Sequence, residues 1–355
     1  MAEKRIRVLV VDDSMLARRS ITEALARDPA IEVVGVAQDP YVARERILEL
    51  DPDVITLDLE MPRMDGLTFL KILQQHHPIP VVVVSSLTQT GSVMALEALA
   101  AGAVDVIGKP DGSQDIGELA RKLAFLVKAA AHSQHFMEAP KAEPEKPLVT
   151  RVSGSSLARK VIVIGASTGG VEALRSILPR LPEGLPPIVI VQHMPAHFSR
   201  TMAVRLNQLC RFPVSEAEEG QVLEPNSCLI APGDYHLALH NGPRGYVAHL
   251  TQSPPVHYCR PAVDVLFRSA AQSVGKNTVA ALLTGMGADG ARGLLTLRAA
   301  GARTFAQDEA SSIVFGMPKA AIELGAAEKI VSLHEMPQAI VSAVTERQST
   351  RPQSS

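Results

Sequence analysis

Short runs of β-branched and aliphatic residues, each closed by a polar or glycine-containing turn and followed by an amphipathic segment, recur along this chain from residue 6 onwards. In the first third they read IRVLVV, IEVVGVA, DVITLD, PVVVVSS and AVDVIG. A strand inside a parallel sheet is covered on both faces, so it carries continuous Val, Ile and Leu instead of alternating apolar and polar residues. Runs of this kind separated by helix-like stretches predict βα units wound into a small parallel sheet with helices on both sides. Ser14, just past the first run, is placed to cap the first helix.

The rhythm breaks between about residues 129 and 158, where AAAHSQHFMEAPKAEPEKPLVTRVSGSS is rich in Ala, Pro, Glu, Lys and Ser and lacks an apolar period. That composition reads as a linker. Beyond it, KVIVIG, PPIVIVQH, SCLIAP, YVAHL and NTVAALLTG supply strands, and VEALRSIL, AVDVLFRSAAQSV and ARGLLTLRAAG supply helices. The expected layout is a doubly wound α/β domain over 1–125, a linker over 126–158, a second doubly wound α/β domain over 159–347 and a polar tail over 348–355.

Composition narrows the function classes. Thirty-five basic residues stand against 37 acidic ones, a net charge of -2, which is not the footprint of a nucleic-acid binder. Cys210, Cys228 and Cys259 are widely spaced, with neither CxxC pairing nor His at metal-ligand spacing, so neither a zinc site nor a disulfide framework is expected. The N-terminus enters a strand without a signal-peptide pattern, and no apolar run approaches the roughly 18 residues of a membrane span. A cytoplasmic setting is expected, with no direct membrane insertion.

Two sets of polar residues fall at strand ends. Asp12 and Asp13 follow the first run, Asp58 follows the third, Ser85 or Ser86 ends the fourth, and Lys109 follows the fifth. In a parallel sheet these ends share one edge, where ligands bind at the switch in strand order. Crowded carboxylates repel one another unless a cation neutralises them, and a hard ion such as Mg2+ suits oxygen ligands. Lys109 and a serine would then hold the oxygens of a phosphoryl group. This region resembles the receiver domain of two-component response regulators, a flavodoxin-like fold. The resemblance implies that Asp58 accepts phosphate, that Asp12, Asp13, Asp58 and the main-chain carbonyl of Glu60 hold Mg2+, and that Ser85 and Lys109 contact the phosphoryl group. Receivers usually carry an aromatic residue three positions before this lysine; here it is Val106.

The second set is in the C-terminal half. Gly165-Ala166-Ser167-Thr168-Gly169 fits G-x-S-x-G, a strand-turn-helix bend that exposes a serine oxygen. It lacks the second glycine of the dinucleotide fingerprint, because Ser167 stands there. A serine hydroxyl needs a neighbouring base and a group to orient that base. His193 follows the next strand, and Asp289 follows the strand VAALLTG, so all three fall on one expected sheet edge. His197, His236, His240, His249 and His257 are rival bases, and Asp234, Asp264 and Asp308 rival acids; Asp264 reads as a helix residue with a packing or capping task.

GASTGG, QHMP, APGDYHL, RPAVDVLF, TGMGADG and VFGMPKAA resemble the signature segments of the chemotaxis protein-glutamate methylesterases, the CheB family, which have a Rossmann-like catalytic domain behind a receiver. The resemblance implies Ser167 as nucleophile, His193 as general base and acid, and Asp289 as the orienting carboxylate. Thr168, Gly169 and Met286 are implied to support the site. It further implies hydrolysis of glutamyl methyl esters and deamidation of glutamines on methyl-accepting chemoreceptors, without a cofactor for that reaction. A chemotaxis histidine kinase is the implied phosphodonor, and the receiver is implied to cover the catalytic cleft until Asp58 is phosphorylated.

Overall fold

A computed structural model describes residues 5–85, 89–109, 116–132, 151, 157, 159–196 and 198–346. Most of the expected linker, the polar tail, Ser86 and His197 lie outside these residues.

The N-terminal half begins with β1 (Ile6–Val11), α1 (Met15–Leu25), β2 (Ile31–Ala37), α2 (Pro40–Leu50) and β3 (Val54–Leu57). It continues with α3 (Gly66–His76), β4 (Val81–Ser85), α4 (Gln89–Ala100), β5 (Asp105–Gly108) and α5 (Ile116–His132). The strands form a parallel sheet in the order β2-β1-β3-β4-β5. The chain leaves β1 towards one side and returns to β3 on the other, so the crevice at the switch in strand order opens between β1 and β3. Ser14 caps α1, its hydroxyl accepting the N–H of Ala17 at 3.3 Å.

Residues 126–132, expected as linker, continue α5. Leu123, Val127 and Ala130 recur at helical spacing and are buried, and Lys128 pairs with Asp28 at 2.6 Å. The alanine-rich stretch has little apolar contrast in sequence, yet alanine is the best helix former and packs closely against its neighbours.

The C-terminal half contains β6 (Val161–Ala166), α6 (Gly170–Ile177), β7 (Ile188–Gln192), α7 (Phe198–Leu209), β8 (Val214–Glu216) and β9 (Cys228–Ile230). There follow β10 (His236–Gly242), β11 (Gly245–Thr251), α8 (Val263–Ser273), β12 (Thr278–Leu282) and α9 (Ala291–Ala299). β13 (Arg303–Gln307), α10 (Met317–Glu323), β14 (Lys329–Val331) and α11 (Met336–Thr345) complete it. Seven strands make a parallel sheet in the order β14-β13-β12-β6-β7-β9-β8. The run YVAHL belongs to the antiparallel hairpin β10–β11, outside that sheet.

β6 lies at the centre, and its Val161, Ile162, Val163 and Ile164 are fully buried, each contributing about 1.5–3 kcal/mol by burial. The chain winds from β6 to β7 in one direction and later returns to β12 on the other side, so the second switch in strand order lies between β6 and β12. A single hydrophobic cluster continues across both halves, including Leu96, Leu99 and Val106 of the first and Ala166, Leu174 and Phe198 of the second. Among the described residues no helix is long and apolar enough to cross a membrane.

Candidate active site

Ser167, His193 and Asp289 follow β6, β7 and β12, three adjacent strands, at their C-terminal ends. The structure brings them into one hydrogen-bonded chain. His193 Nδ1 is 3.0 Å from Ser167 Oγ, and His193 Nε2 is 2.8 Å from Asp289 Oδ2. An ionised carboxylate only accepts, so in the neutral imidazole the proton sits on Nε2 and leaves Nδ1 free to accept from the serine.

Local packing explains why these residues stand where they do. A Cβ on Gly165 would lie 2.2 Å from Val263 Cγ1, so the missing side chain lets the start of α8 press against β6. That approach aims the first N–H groups of α8 at Asp289: Val263 donates to Oδ2 at 2.7 Å and Asp264 to Oδ1 at 2.9 Å. Burial raises the Asp289 pKa, but His193 and these donors outweigh it and hold the carboxyl below its ordinary range. Gly169, at φ +76°, makes the turn from Ser167 into α6. Thr284, just past β12, anchors the nucleophile loop through two bonds: its carbonyl accepts the Ser167 N–H at 3.0 Å, and its hydroxyl donates to the Thr168 carbonyl at 3.0 Å. Met286 is half-buried in the loop after β12, on the same rim.

Burial disfavours charge on the His193 ring, whereas the Cys259 sulfur and the Asp289 carboxylate favour it; the imidazole is pushed up to about 10. The rival residues are engaged elsewhere. His236 is buried, with Nδ1 facing the Ala262 N–H and Nε2 facing the Pro254 carbonyl. His249 lies tilted against the His240 ring and pairs with Glu219, and His257 pairs with Asp264. Asp234 pairs with Arg260, and Asp308 accepts from Ser311. Asp264 caps the start of α9 by accepting the Gly293 N–H at 2.7 Å.

The N-terminal half carries the other polar cluster. Carboxylate oxygens of Asp12, Asp13 and Asp58 converge within 4.8 Å of one another. Lys109 Nζ lies 2.9 Å from Asp12 Oδ2 and 2.8 Å from Asp58 Oδ2 as an ion pair, but neither buried oxygen takes an aligned hydrogen bond. Three carboxylates facing one ammonium leave an excess of negative charge on converging oxygens, which fits a divalent cation bound by oxygen. Burial pushes the Asp58 carboxyl up to about 6 against the pull of Lys109, and the nearby Asp12 adds to the rise. Burial opposes charge on Lys109, yet the two carboxylates prevail and raise its pKa. Ser85 ends β4 fully buried, and its carbonyl accepts the Lys109 N–H at 2.7 Å.

The two halves meet over the triad. α4 packs on α7, joined by Glu97 and Arg205 at 3.0 Å. The Arg121 guanidinium of α5 lies 5.6 Å from the centre of the Tyr258 ring. Val106 and Asp105 of β5, with Leu96 and Leu99 of α4, line a small cavity shared with Gln192 and His193. Asp105 keeps some accessible surface, while its carboxyl accepts the Val106 N–H at 2.7 Å and lies near the Thr168 hydroxyl and His193. The Thr168 contact is a close approach, because Oγ1 is buried without a partner of hydrogen-bond geometry. Sequence reasoning missed Asp105, Cys259, Gln192 and the start of α8. Only Gln192 carried a signal, as a polar residue ending an otherwise apolar strand.

Comparison with known proteins identifies the family. The profile of the response regulator receiver domain matches residues 8–121, and that of CheB methylesterase matches residues 162–340. A protein-glutamate methylesterase/protein-glutamine glutaminase of Syntrophus aciditrophicus is 50% identical over 343 residues, spanning 96% of this chain and 99% of the relative. One from Syntrophotalea carbinolica is 49% identical over 350 residues, 97% of this chain and 99% of the relative. The crystal structure of the Thermotoga maritima CheB methylesterase catalytic domain aligns at TM-score 0.51 and 40% identity, covering 54% of this chain and 99% of that one. With a receiver ahead of a catalytic domain of this kind and relatives that match it nearly end to end, the chain belongs to the CheB family of protein-glutamate methylesterases.

Proposed function

We propose that this enzyme hydrolyses glutamyl methyl esters and deamidates glutamines on chemoreceptors through Ser167, His193 and Asp289, and that its receiver restrains the reaction until Asp58 is phosphorylated. The observation that carries the reading is the hydrogen-bonded chain from Ser167 Oγ through His193 to Asp289, 3.0 and 2.8 Å long in its two links.

In the first step Ser167 Oγ bonds to the side-chain carbonyl carbon while its proton passes to His193 Nδ1. The tetrahedral intermediate expels methoxide from an ester, or the amine nitrogen from an amide, and His193 returns the proton so that methanol or ammonia leaves. Water, deprotonated by the same nitrogen, then adds to the acyl carbon and releases glutamate and free Ser167. Asp289 holds the ring in the required tautomer and stabilises the imidazolium. A positioned base of this kind contributes about 10^2 to 10^4-fold.

In the receiver, Asp58 is taken as the phosphoryl acceptor, with Ser85 and Lys109 as the contacts to the phosphoryl oxygens. Asp12, Asp13, Asp58 and the Glu60 carbonyl would hold Mg2+, which supplies charge neutralisation to phosphoryl transfer when bound. The gating reading is supported by β5 and α4 lying against His193 and Gln192, which narrows the approach to Ser167. A charge change at Asp58 that shifts β5 biases the two halves between closed and open arrangements. A chemotaxis histidine kinase would be the donor.

The test is methanol release from methylated receptor membranes by the full chain, with and without a small-molecule phosphodonor. Release that increases on phosphorylation is expected. No release, or release indifferent to the phosphodonor, contradicts the esterase or the gating reading respectively.

A further inference from the structure

Gln192 ends β7 and is only 2% exposed, one residue before the proposed base. Backbone pairing between β6 and β7 stops here: the last bond runs from the His193 N–H to the Ala166 carbonyl at 3.1 Å. Beyond it the two chains part into the loops that carry Ser167 and His193. Gln192 bridges that gap, because Nε2 donates to the Ser167 carbonyl at 2.9 Å and to the His193 carbonyl at 3.0 Å. Both partners are carbonyl oxygens, which only accept, so the nitrogen of the amide must face them.

The neighbouring sequence is shaped around this amide. A Cβ on Gly170 would sit 2.1 Å from Gln192 Oε1 and 3.0 Å from Cδ, so only glycine at that position leaves the side chain its place. Oε1 is buried without a hydrogen-bond partner, a cost that an apolar side chain would avoid. The retained amide therefore points to a task other than filling space.

We propose that Gln192 is a positioning residue for the hydrolysis: by tying together the main chains of Ser167 and His193, it sets the separation between nucleophile and base. This rests on the reading of Ser167 and His193 given above. It adds that their 3.0 Å spacing depends on one amide nitrogen as well as on the sheet.

The test compares Gln192→Met, similar in length without a donor, and Gln192→Glu, which turns an acceptor towards two acceptors. Both are measured in the full chain, treated with phosphodonor, by methanol release from methylated receptor membranes. Misplacement of reacting groups by a fraction of an ångström to an ångström predicts a kcat lower by about 10 to 10^2-fold per folded enzyme, with KM within about twofold of wild type. Gln192→Glu should recover relative to wild type as the pH is lowered and its carboxyl gains a proton to donate; a role confined to packing gives no such recovery. Turnover per folded molecule within about twofold of wild type in whichever variant folds overturns the proposal. Ser167→Ala run alongside separates the two claims. Retained turnover there removes the underlying reading, whereas a silent Ser167→Ala with unimpaired Gln192 variants removes the positioning role alone.

Discussion

Nε2 of His193 and Oδ2 of Asp289 lie 2.8 Å apart, and that same oxygen accepts the Val263 N–H at 2.7 Å. The carboxylate is thus oriented by the start of α8 before it orients the imidazole. In Asp289→Asn, an amide whose oxygen keeps the Asp264 N–H turns its NH2 towards Nε2, gives up the Val263 N–H bond, and drives the ring proton to Nδ1, where the base should be. The expected result is a fall in kcat of about 10^3 to 10^4-fold, with KM little changed, read by methanol release.

The pH profile follows from the same contact. His193 accepts the serine proton only when neutral, and although burial works against its charge, Cys259 and Asp289 push its pKa up to about 10. The neutral fraction grows as pH rises, so kcat/KM should climb with pH along an acid limb whose midpoint lies above the ordinary histidine value of about 6.5. Removing the charge at Asp289 should lower that midpoint. A limb centred below the ordinary value would contradict the assignment.

At the interface, burial pushes the Asp105 carboxyl up to about 6, against the pull of Thr168, the Val106 N–H and His193. An exposed aspartate titrates near 3.9, so closing the two halves takes up a proton between about pH 4 and 6. Closure is then most favourable below about pH 4 and weakens as the pH rises through about 6. Asp105→Asn keeps the shape without the charge. It should lower unphosphorylated turnover at neutral pH and remove the pH dependence of interdomain contact, followed by energy transfer between labels on the two halves.

Metal removal should separate the halves functionally. The Asp12, Asp13 and Asp58 cluster lies in the receiver, whereas the proposed hydrolysis uses only serine, histidine and aspartate. Chelation with EDTA should therefore abolish phosphorylation of Asp58 and the activation it brings, while basal methanol release persists. Loss of basal release would place the metal in the hydrolytic step.

Gly165→Ala tests the packing that delivers α8 to Asp289. The added Cβ meets Val263 Cγ1 at 2.2 Å, and overpacking of this kind costs about 1–3 kcal/mol. A lower melting temperature together with reduced kcat is expected, because the helix must retreat from the carboxylate it holds.

Much of this was legible in the sequence because parallel strands are written as apolar runs and polar residues at their ends fall on one edge. Asp12, Asp58 and Lys109 were placed this way, and so were Ser167, His193 and Asp289. Among the runs that escaped notice, β8 and β14 are only three residues long, RTFAQ of β13 opens on Arg, and HLALHNG of β10 alternates because one face of its hairpin is open. Contacts between remote segments left no local mark. Asp105 meets Thr168 only because two separate sheets dock, and the Val263 N–H meets Asp289 only because Gly165 lacks a side chain. Gln192 was visible as a residue, but the two carbonyls it joins became visible only once β6 and β7 were paired.

The most direct measurement is methanol release from methylated receptor membranes by wild type and Ser167→Ala, each phosphorylated and each shown to be folded. The variant is expected to lose turnover by at least about 10^3-fold, as removal of a nucleophile demands, while still accepting phosphate at Asp58. Turnover in Ser167→Ala close to that of wild type would contradict it.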